Sequence, residues 1–289
     1  MSTETSVVMM GTDVAKAMKE ELTQRVEALK SDGVLPHLAI VRVGARPDDL
    51  AYERGAMKRM ELTGIACSVF ELPEDISQEK FESEFRKVND DPKIHGILLF
   101  RPLPKHLDEE PIKTMIHPMK DVDCMSPVNI AKVFSGDETG YAPCTPEAVM
   151  EMLDYYNINL TGKKVTVVGR SMVVGKPLSM LMLKKHATIT VCHTRTKELA
   201  ATCKEAEILV AAAGKAKMIR EDMVGDGAVI VDVGINVDDD GNMCGDVDYD
   251  AVVSKAAYIS PVPRGVGSVT SSVLAKHVVR GAEYFERQI

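Results

Sequence analysis

The chain of 289 residues contains no tryptophan, and only 4% of its residues are aromatic. Proteins that bind single-stranded nucleic acid stack its bases on aromatic side chains, so this composition argues against that class. The formal net charge of −8 also argues against a polyanionic partner, because phosphate contacts require clustered lysine and arginine. We therefore expect no nucleic-acid partner, whereas a small anionic ligand is compatible with local basic residues.

Long apolar runs and paired cysteines are missing as well. No run approaches the roughly 20 apolar residues that a membrane-spanning helix needs. The first five residues, Met-Ser-Thr-Glu-Thr, lack the basic and apolar regions of a signal peptide. Six cysteines are scattered without any C-x-x-C pair, which is typical of reduced thiols rather than of disulfides or a zinc site. The sequence predicts a cytoplasmic protein with no membrane partner and no metal.

The most informative segment runs from Val165 to Pro177 and reads V-T-V-V-G-R-S-M-V-V-G-K-P. A β-branched run ends at Gly169, and a helix-like segment follows from Leu178 to Lys185. This order of strand, glycine turn and helix directs free backbone N–H groups and a helix dipole at an anion. The spacing is neither G-x-G-x-x-G nor that of a Walker A loop. We interpret it as a dinucleotide-binding turn; an ordinary tight turn is the alternative.

Strand-like and helix-like segments alternate along the chain. The predicted strands are 37–43, 66–71, 94–100, 164–168, 187–192, 207–211 and 228–232. The predicted helices include 49–61, 77–89, one from Thr145 (as N-cap) through Tyr155, and 270–287. Such alternation is typical of parallel βαβ units. The predicted fold class is α/β, with two βαβ-type domains, the second a Rossmann-like doubly wound parallel sheet, and a cleft between them.

Several segments, taken in order, resemble the methylenetetrahydrofolate dehydrogenase/cyclohydrolase family over nearly the full chain. They are Tyr52 with Lys58 ahead of Gly64-Ile65, Gly96-Ile97-Leu98 with Pro102-Leu103-Pro104, Lys120-Asp121-Val122-Asp123, Pro143-Cys144-Thr145-Pro146, Gly169-Arg170-Ser171 with Val174-Gly175-Lys176-Pro177, Asp232-Val233-Gly234-Ile235-Asn236, Gly245-Asp246-Val247, and Pro261-Val262-Pro263 with Gly265-Val266-Gly267. The resemblance implies a folate-side domain at 1–142 plus 271–289 and a dinucleotide-binding domain at 143–270. It also implies a homodimer and a tetrahydrofolate one-carbon substrate.

The same resemblance assigns the site residues. It implies that Tyr52 lies against the folate and that Asp123 hydrogen-bonds the pterin, so both are candidate catalytic residues. The other implied substrate-binding residues are Phe100, Pro102, Arg264 and Gly265. The implied cofactor-binding residues are Thr145, Gly169, Arg170, Ser171, Val174, Gly175, Thr194, Arg195, Gly214 and Ile235. Without the resemblance, Tyr52 is interpreted as a partly buried helix residue and Asp123 as a helix-capping group.

The departures from the family pattern bear on activity. Ala56 occupies the position of the family's catalytic lysine, and Phe100 that of the glutamine which partners it. Residues 52 and 56 share a helix face, whereas Lys58 points away from both. Cyclohydrolysis needs a polar group that activates water, typically worth about 10²–10⁴-fold. Hydride transfer mainly needs the two rings held in position. We therefore predict a dehydrogenase with lost or very weak cyclohydrolase activity.

Two further departures replace family glycines. Arg264 stands close to where nicotinamide and folate are expected to meet, and Cys124 follows Asp123. If residue 264 has a positive φ, arginine there costs about 1–3 kcal/mol of strain. If it does not, its guanidinium is a candidate for a carboxylate or carboxamide contact. An arginine that points to solvent is the third reading.

The cofactor is predicted from the end of the second Rossmann strand. NAD-preferring folds commonly place Asp or Glu there to bind the ribose hydroxyl. This chain has Thr194 and Arg195 instead, with Arg170 in the glycine turn. These groups suit a 2′-phosphate, so NADP is favoured and NAD remains possible. Two alternatives to the monofunctional dehydrogenase stay open: a bifunctional enzyme that recruits Lys58, Arg54 or Arg264 for the water step, and a catalytically silent folate- or nucleotide-binding paralogue.

Overall fold

A computed structural model describes residues 6–287. The N-terminal pentapeptide, which carries the argument against a signal peptide, lies outside this range. The chain divides into two compact units. A nucleotide unit contains the residues up to Lys16 together with Thr145–Thr270, and a folate-side unit contains Ala17–Cys144 together with the chain from Ser271 onward. No helix within the described range is both long and apolar enough to span a bilayer.

The elements alternate as predicted. The strands are β1 (Val7–Val8), β2 (His37–Val43), β3 (Ala66–Leu72), β4 (Gly96–Leu99), β5 (Lys164–Val168), β6 (Thr188–Cys192), β7 (Ile208–Ala211), β8 (Val229–Asp232), β9 (Asn236–Val237), β10 (Met243–Cys244) and β11 (Tyr258–Ile259). The helices are α1 (Gly11–Ser31), α2 (Pro47–Thr63), α3 (Gln78–Asp90), α4 (Glu110–Met115), α5 (Pro127–Ser135), α6 (Cys144–Tyr155), α7 (Gly175–Lys184), α8 (Leu199–Lys204), α9 (Tyr249–Val252) and α10 (Thr270–Glu286).

The folate-side unit is built on a parallel sheet with the order β3-β2-β4. Its central strand β2 is buried from Leu38 to Val43, as expected for a parallel strand covered on both faces. Helix α3 contributes Phe81 and Phe85, both fully buried, to the core under this sheet. Helix α2 follows β2 and ends at Thr63, and the next residue, Gly64, caps it with a φ of 75° in the left-handed region. The sheet therefore fixes the position of the helix that carries Tyr52.

The nucleotide unit contains a six-stranded sheet with the order β1-β11-β8-β7-β5-β6, and all of its neighbouring strands are parallel. The chain runs from β5 outward to β6 and then returns to β7 on the other side of β5. This reversal is the topological switch point at which doubly wound sheets bind ligands. The predicted α/β class and the Rossmann-like sheet are therefore confirmed.

Three local features differ from the sequence predictions. Strand β1 pairs with β11, Val7 opposite Tyr258, which places the chain up to Lys16 in the nucleotide unit rather than with 1–142. A two-residue strand is too short to show a periodicity. Helix α6 begins at Cys144, so Thr145 lies inside its first turn and is not the N-cap. The predicted strand 94–100 is shorter, at Gly96–Leu99.

Two helical glycines allow a matched test of the packing. A Cβ added to Gly281 in α10 would lie well inside 3.0 Å of the carbonyl oxygen of His95, whereas one added to Gly55 in α2 meets nothing within 4 Å. We expect Gly281→Ala to lower the free energy of unfolding by about 1–3 kcal/mol through overpacking. Gly55→Ala is expected to raise it by about 0.5–1 kcal/mol, because alanine loses less backbone freedom on folding. Urea denaturation measures both, and shifts of the same sign would contradict this account.

Candidate active site

Tyr52 lies on α2 and contacts Phe100 edge to face, with ring centroids 5.8 Å apart and planes at 73°. Tyr52 is 41% exposed, so part of the residue is accessible to a ligand. Burial around the hydroxyl, together with the neighbouring Cys144 thiol and Asp123 carboxylate, raises the pKa of Tyr52 well above its ordinary value. The phenol therefore keeps its proton at working pH and offers a flat apolar face with a hydrogen-bond donor at its tip.

The face of α2 next to Tyr52 is apolar at the position where the resemblance leads us to expect a lysine. Ala56 lies one turn further along and is only 2% exposed, and Phe100 is 7% exposed. Lys58 does not fill the gap: its ammonium is exposed and pairs with Glu61 at 2.9 Å. Arg54 is also exposed. The structure thus agrees with the helical geometry that directs Lys58 away from this face.

Arg59 is a candidate that the sequence predictions missed. It lies seven residues after Tyr52, on the same helix face, and its Nε donates to the Ser271 hydroxyl at 3.3 Å. Burial lowers the pKa of Arg59 from its ordinary value. A guanidinium nevertheless stays protonated in proteins and cannot accept a proton from water. Arg59 therefore does not replace a general base. The spacing of residues 52, 56 and 59 nevertheless places it on the same helix face as Tyr52, and this spacing can be seen in the sequence.

In the Lys120-Asp121-Val122-Asp123 motif, two charged side chains are bonded to the backbone and one is available to a ligand. The Lys120 ammonium donates to the carbonyl oxygens of Asn89 at 2.6 Å and Asp91 at 2.7 Å. Asp121 is 1% exposed, and its two oxygens accept the backbone N–H groups of Met125 and Ser126 at 2.8 and 2.9 Å. These bonds join α3 and the start of α5 to the motif. The side chains of Lys120 and Asp121 thus have a structural role.

Asp123 is placed differently. Its Oδ1 accepts the Cys144 backbone N–H at 3.0 Å, and its Oδ2 accepts no hydrogen bond from any of residues 6–287. The side chain is only partly buried. One carboxylate oxygen is therefore oriented by the backbone while the other is available to a ligand donor. The next residue, Cys124, has a φ of 56°, in the left-handed region that favours glycine.

In the nucleotide unit, the turn after β5 requires both of its glycines. Gly169 has a φ of 142°, and a Cβ there would collide with the carbonyl oxygen of Ala212. A Cβ on Gly175 would collide with the carbonyl oxygen of Gly169. The Ser171 hydroxyl accepts the Val174 N–H at 3.0 Å and closes the turn. The turn leads directly into α7, whose N-terminus supplies the N–H groups that favour an anion.

The basic groups expected to meet the cofactor's phosphates are exposed. Arg170 follows Gly169, and Thr194 and Arg195 follow β6. The backbone N–H of Arg195 donates to the His193 ring at 3.1 Å. Neither guanidinium has a hydrogen-bond or ion-pair partner among the described residues. Both cations are thus available to an anionic ligand at this end of the sheet.

A buried carboxylate, Asp246, shapes the turn after β7, and sequence reasoning gave it no role. It is fully buried and accepts the N–H groups of Ala213, Gly214 and Lys215 at 2.6 to 2.9 Å. Gly214 has a φ of 65°, as this turn requires. Burial raises the pKa of the neighbouring Asp232 to about 6. The Gly245-Asp246-Val247 motif could have drawn attention to Asp246 in the sequence. Only the fold shows which N–H groups its carboxylate accepts.

Arg264 has a φ of 75°, so the reading with positive φ and strain applies, and its side chain is exposed, as the third reading expects. It lines a pocket of about 280 Å³ at the carboxyl ends of β8 and β11. The lining also includes Ile235, which is 67% exposed, and Gly265, where a Cβ would collide with the Pro261 carbonyl.

The described residues contain no cluster of His, Cys, Asp or Glu arranged to hold a metal ion.

The predicted site residues fall into two groups by unit. The folate-side unit contains Tyr52, Phe100, Pro102 and Asp123, of which Pro102 is exposed and follows a cis peptide bond. The nucleotide unit contains Thr145, Gly169, Arg170, Ser171, Val174, Gly175, Thr194, Arg195, Gly214, Ile235, Arg264 and Gly265. Within each unit the geometry suits the chemistry that the resemblance implies, and the individual roles remain predictions.

Comparison with known proteins identifies the family of both parts of the chain. Residues 9–123 match the family description "Tetrahydrofolate dehydrogenase/cyclohydrolase, catalytic domain". Residues 143–286 match "Tetrahydrofolate dehydrogenase/cyclohydrolase, NAD(P)-binding domain". The chain is 58% identical over 283 residues to the bifunctional protein FolD of Clostridioides difficile, and the match covers 98% of each chain.

Solved structures give the same result. The bifunctional FolD dehydrogenase/cyclohydrolase of Campylobacter jejuni superposes with a TM-score of 0.94 at 38% identity, covering 96% of this chain and 99% of that one. The Trypanosoma brucei methylenetetrahydrofolate dehydrogenase-cyclohydrolase, complexed with NADP and an inhibitor, has a TM-score of 0.90 at 35% identity, covering 98% of each chain.

Proposed function

Because the chain belongs to the tetrahydrofolate dehydrogenase/cyclohydrolase family, we propose that it is an NADP-dependent methylenetetrahydrofolate dehydrogenase whose cyclohydrolase activity is lost or very weak. It oxidises 5,10-methylenetetrahydrofolate to 5,10-methenyltetrahydrofolate. The observation that carries the second part is the apolar surface beside Tyr52, where buried Ala56 and Phe100 stand in place of a cation and its partner.

The oxidation asks the protein mainly to hold and orient its ligands. When NADP⁺ is bound, its nicotinamide ring accepts the hydride that the folate nitrogen lone pair expels from the methylene carbon. Tyr52 offers its partly exposed side chain to the folate, and the unoccupied Oδ2 of Asp123 accepts N–H donors from the aminopyrimidine edge. The Gly169–Gly175 turn and the start of α7 would hold the pyrophosphate of the cofactor. None of these roles requires a side chain that changes protonation state.

Hydrolysis makes a demand that these residues do not meet. Water must lose a proton as it adds to the methenyl carbon, so a group that accepts or relays that proton has to lie beside the carbon. Ala56 and Phe100 have no polar atom to offer. The Tyr52 hydroxyl keeps its proton because its pKa is raised, and Arg59 is permanently charged. The methenyl product is therefore released intact.

The preference for NADP over NAD rests on the end of β6. Thr194 and Arg195 lie there with exposed side chains, and Arg170 lies in the adjacent turn. No carboxylate follows β6 directly to accept a ribose hydroxyl pair. We expect kcat/KM to be higher with NADP⁺ than with NAD⁺. Arg195→Ala is expected to lower this preference about tenfold, because a charge-assisted bond to a phosphate contributes roughly 1.5–3 kcal/mol.

One assay separates the three readings of the function. Purified protein is given methylenetetrahydrofolate with NADP⁺ or NAD⁺, and cofactor reduction is followed together with methenyl accumulation and decay. Cofactor reduction with persistent methenyl product supports the proposal. Methenyl decay faster than in buffer supports a bifunctional enzyme, and ligand binding without turnover supports a silent paralogue.

The subunit arrangement is a separate proposal. Relatives in this family lead us to expect a homodimer, and light scattering coupled to size exclusion tests it. A mass of one chain at micromolar concentration would contradict this expectation.

A further inference from the structure

Two independent observations single out Arg264. Its φ of 75° is a conformation that L side chains rarely adopt, and glycine would occupy it without strain. Its side chain is exposed where it lines a pocket, and its guanidinium forms no hydrogen bond, ion pair or ring contact with any of residues 6–287. Strained non-glycine residues that the fold tolerates cluster at ligand sites. An unpartnered cation on a strained backbone in a pocket suggests that the side chain serves a ligand.

The sheet order indicates which part of a ligand reaches this pocket. The glycine turn follows β5, and the basic groups for the adenosine end follow β6 at the edge of the sheet. The pocket lies beyond β7, at the ends of β8 and β11 on the opposite side of β5. A dinucleotide with its pyrophosphate at the β5 turn and its adenosine over β6 must extend its nicotinamide toward β8. Arg264 belongs to the same unit, so this placement depends on one sheet only.

No carboxylate of the pocket lining forms an ion pair with Arg264. The carboxylate in the pocket wall, Asp232, accepts the N–H groups of Gly234, Asp246 and Val247 and is 3% exposed. The rest of the wall comprises backbone and apolar groups such as Ile235, Met243 and Val262. A bound nicotinamide ring would therefore lie near an unpaired guanidinium in a largely apolar pocket, whose one carboxylate is buried and bonded to the backbone.

We propose that Arg264 distinguishes the two oxidation states of the bound cofactor, an inference that rests on the proposed function. The oxidised nicotinamide ring carries a positive charge that the reduced ring lacks. A nearby guanidinium repels the oxidised ring and leaves the reduced ring unaffected, while its N–H groups hydrogen-bond the carboxamide oxygen in both. Arg264 thus weakens binding of NADP⁺ relative to NADPH.

The test measures the dissociation constants of NADP⁺ and NADPH by calorimetry, without folate, for the intact protein and its variants. Removing the charge in Arg264→Gln is expected to lower the ratio Kd(NADP⁺)/Kd(NADPH) by about 3–10-fold, the range for unit charges some 6 Å apart in a partly solvated pocket. Arg264→Lys is expected to keep the ratio. Arg264→Gly removes the charge and the strain together, so it should lower the ratio and still fold.

Arg195→Gln is the matched control. It removes a cation expected to contact phosphate, which is the same in both oxidation states, so it should weaken both forms equally and leave the ratio unchanged. An unchanged ratio in Arg264→Gln, with both forms still bound, overturns the role of Arg264 and leaves the proposed function standing. Failure of the unmodified protein to bind either form would refute both. An equal fall in the ratio for Arg195→Gln would show a general charge effect and also overturn the assignment.

Discussion

The double variant Ala56→Lys/Phe100→Gln is expected to hydrolyse methenyltetrahydrofolate about 10²–10⁴-fold faster than the unmodified protein, the usual contribution of a positioned proton-transfer group. Lysine restores an ammonium one helical turn from Tyr52, and glutamine replaces the ring that now packs against the tyrosine. The rate is measured as the loss of methenyl absorbance above the buffer rate, with cofactor absent.

The single variants are the informative controls. Ala56 is 2% exposed and Phe100 is 7% exposed, so Ala56→Lys alone adds a long charged chain where there is little room. We expect it to lower the free energy of unfolding by about 1–3 kcal/mol and to leave hydrolysis near the buffer rate. Phe100→Gln alone supplies no ammonium and is also expected to remain inactive in hydrolysis. Recovery of hydrolysis by Ala56→Lys alone would show that Phe100 is not an obstacle.

Asp123→Asn is expected to lower dehydrogenase kcat/KM by about 10²–10⁴-fold, since two hydrogen bonds to a charged group contribute roughly 1.5–3 kcal/mol each. The variant's remaining oxygen still accepts the Cys144 N–H, so the local backbone is kept. Its amide, however, presents donors where the carboxylate accepts them. The loss should appear mainly as weaker folate binding, measured as an increase in KM for methylenetetrahydrofolate with an unchanged unfolding midpoint.

Asp121→Asn, two residues away, is the structural counterpart. Both of its carboxylate oxygens accept backbone N–H groups, and one also accepts the side-chain amide of Asn129. In the variant, an amide NH₂ group replaces one of these oxygens and meets a backbone N–H, so two donors face each other and that N–H loses its acceptor. We therefore expect the free energy of unfolding to fall by about 1–3 kcal/mol. The activity of the folded fraction should change little. If instead Asp123→Asn destabilised the protein and Asp121→Asn impaired folate binding, the two assignments would have to be exchanged.

The contrast between these two aspartates shows where sequence reasoning stops. Lys120-Asp121-Val122-Asp123 was recognisable as a motif, yet nothing in four letters tells which carboxylate is saturated by the backbone. That depends on α5 starting beside Asp121 and on Cys144 lying beside Asp123. Both partners are tertiary neighbours of the motif. Arg59 illustrates the opposite case, because helical spacing alone puts it on the face of Tyr52.

The sequence by itself determined what depends on a few consecutive residues. The alternation of strands and helices, the two glycines of the β5 turn and the divergence of Lys58 from Tyr52 follow from backbone sterics and helical periodicity. The tertiary structure decided what depends on partners distant in the chain. The pairing of β1 with β11, the packing of Phe100 on Tyr52, the burial of Asp246 beneath the Gly214 turn and the left-handed backbone of Arg264 are of this kind. Local patterns constrain each residue's own dihedral angles, whereas side chains acquire their roles from atoms that only folding brings near.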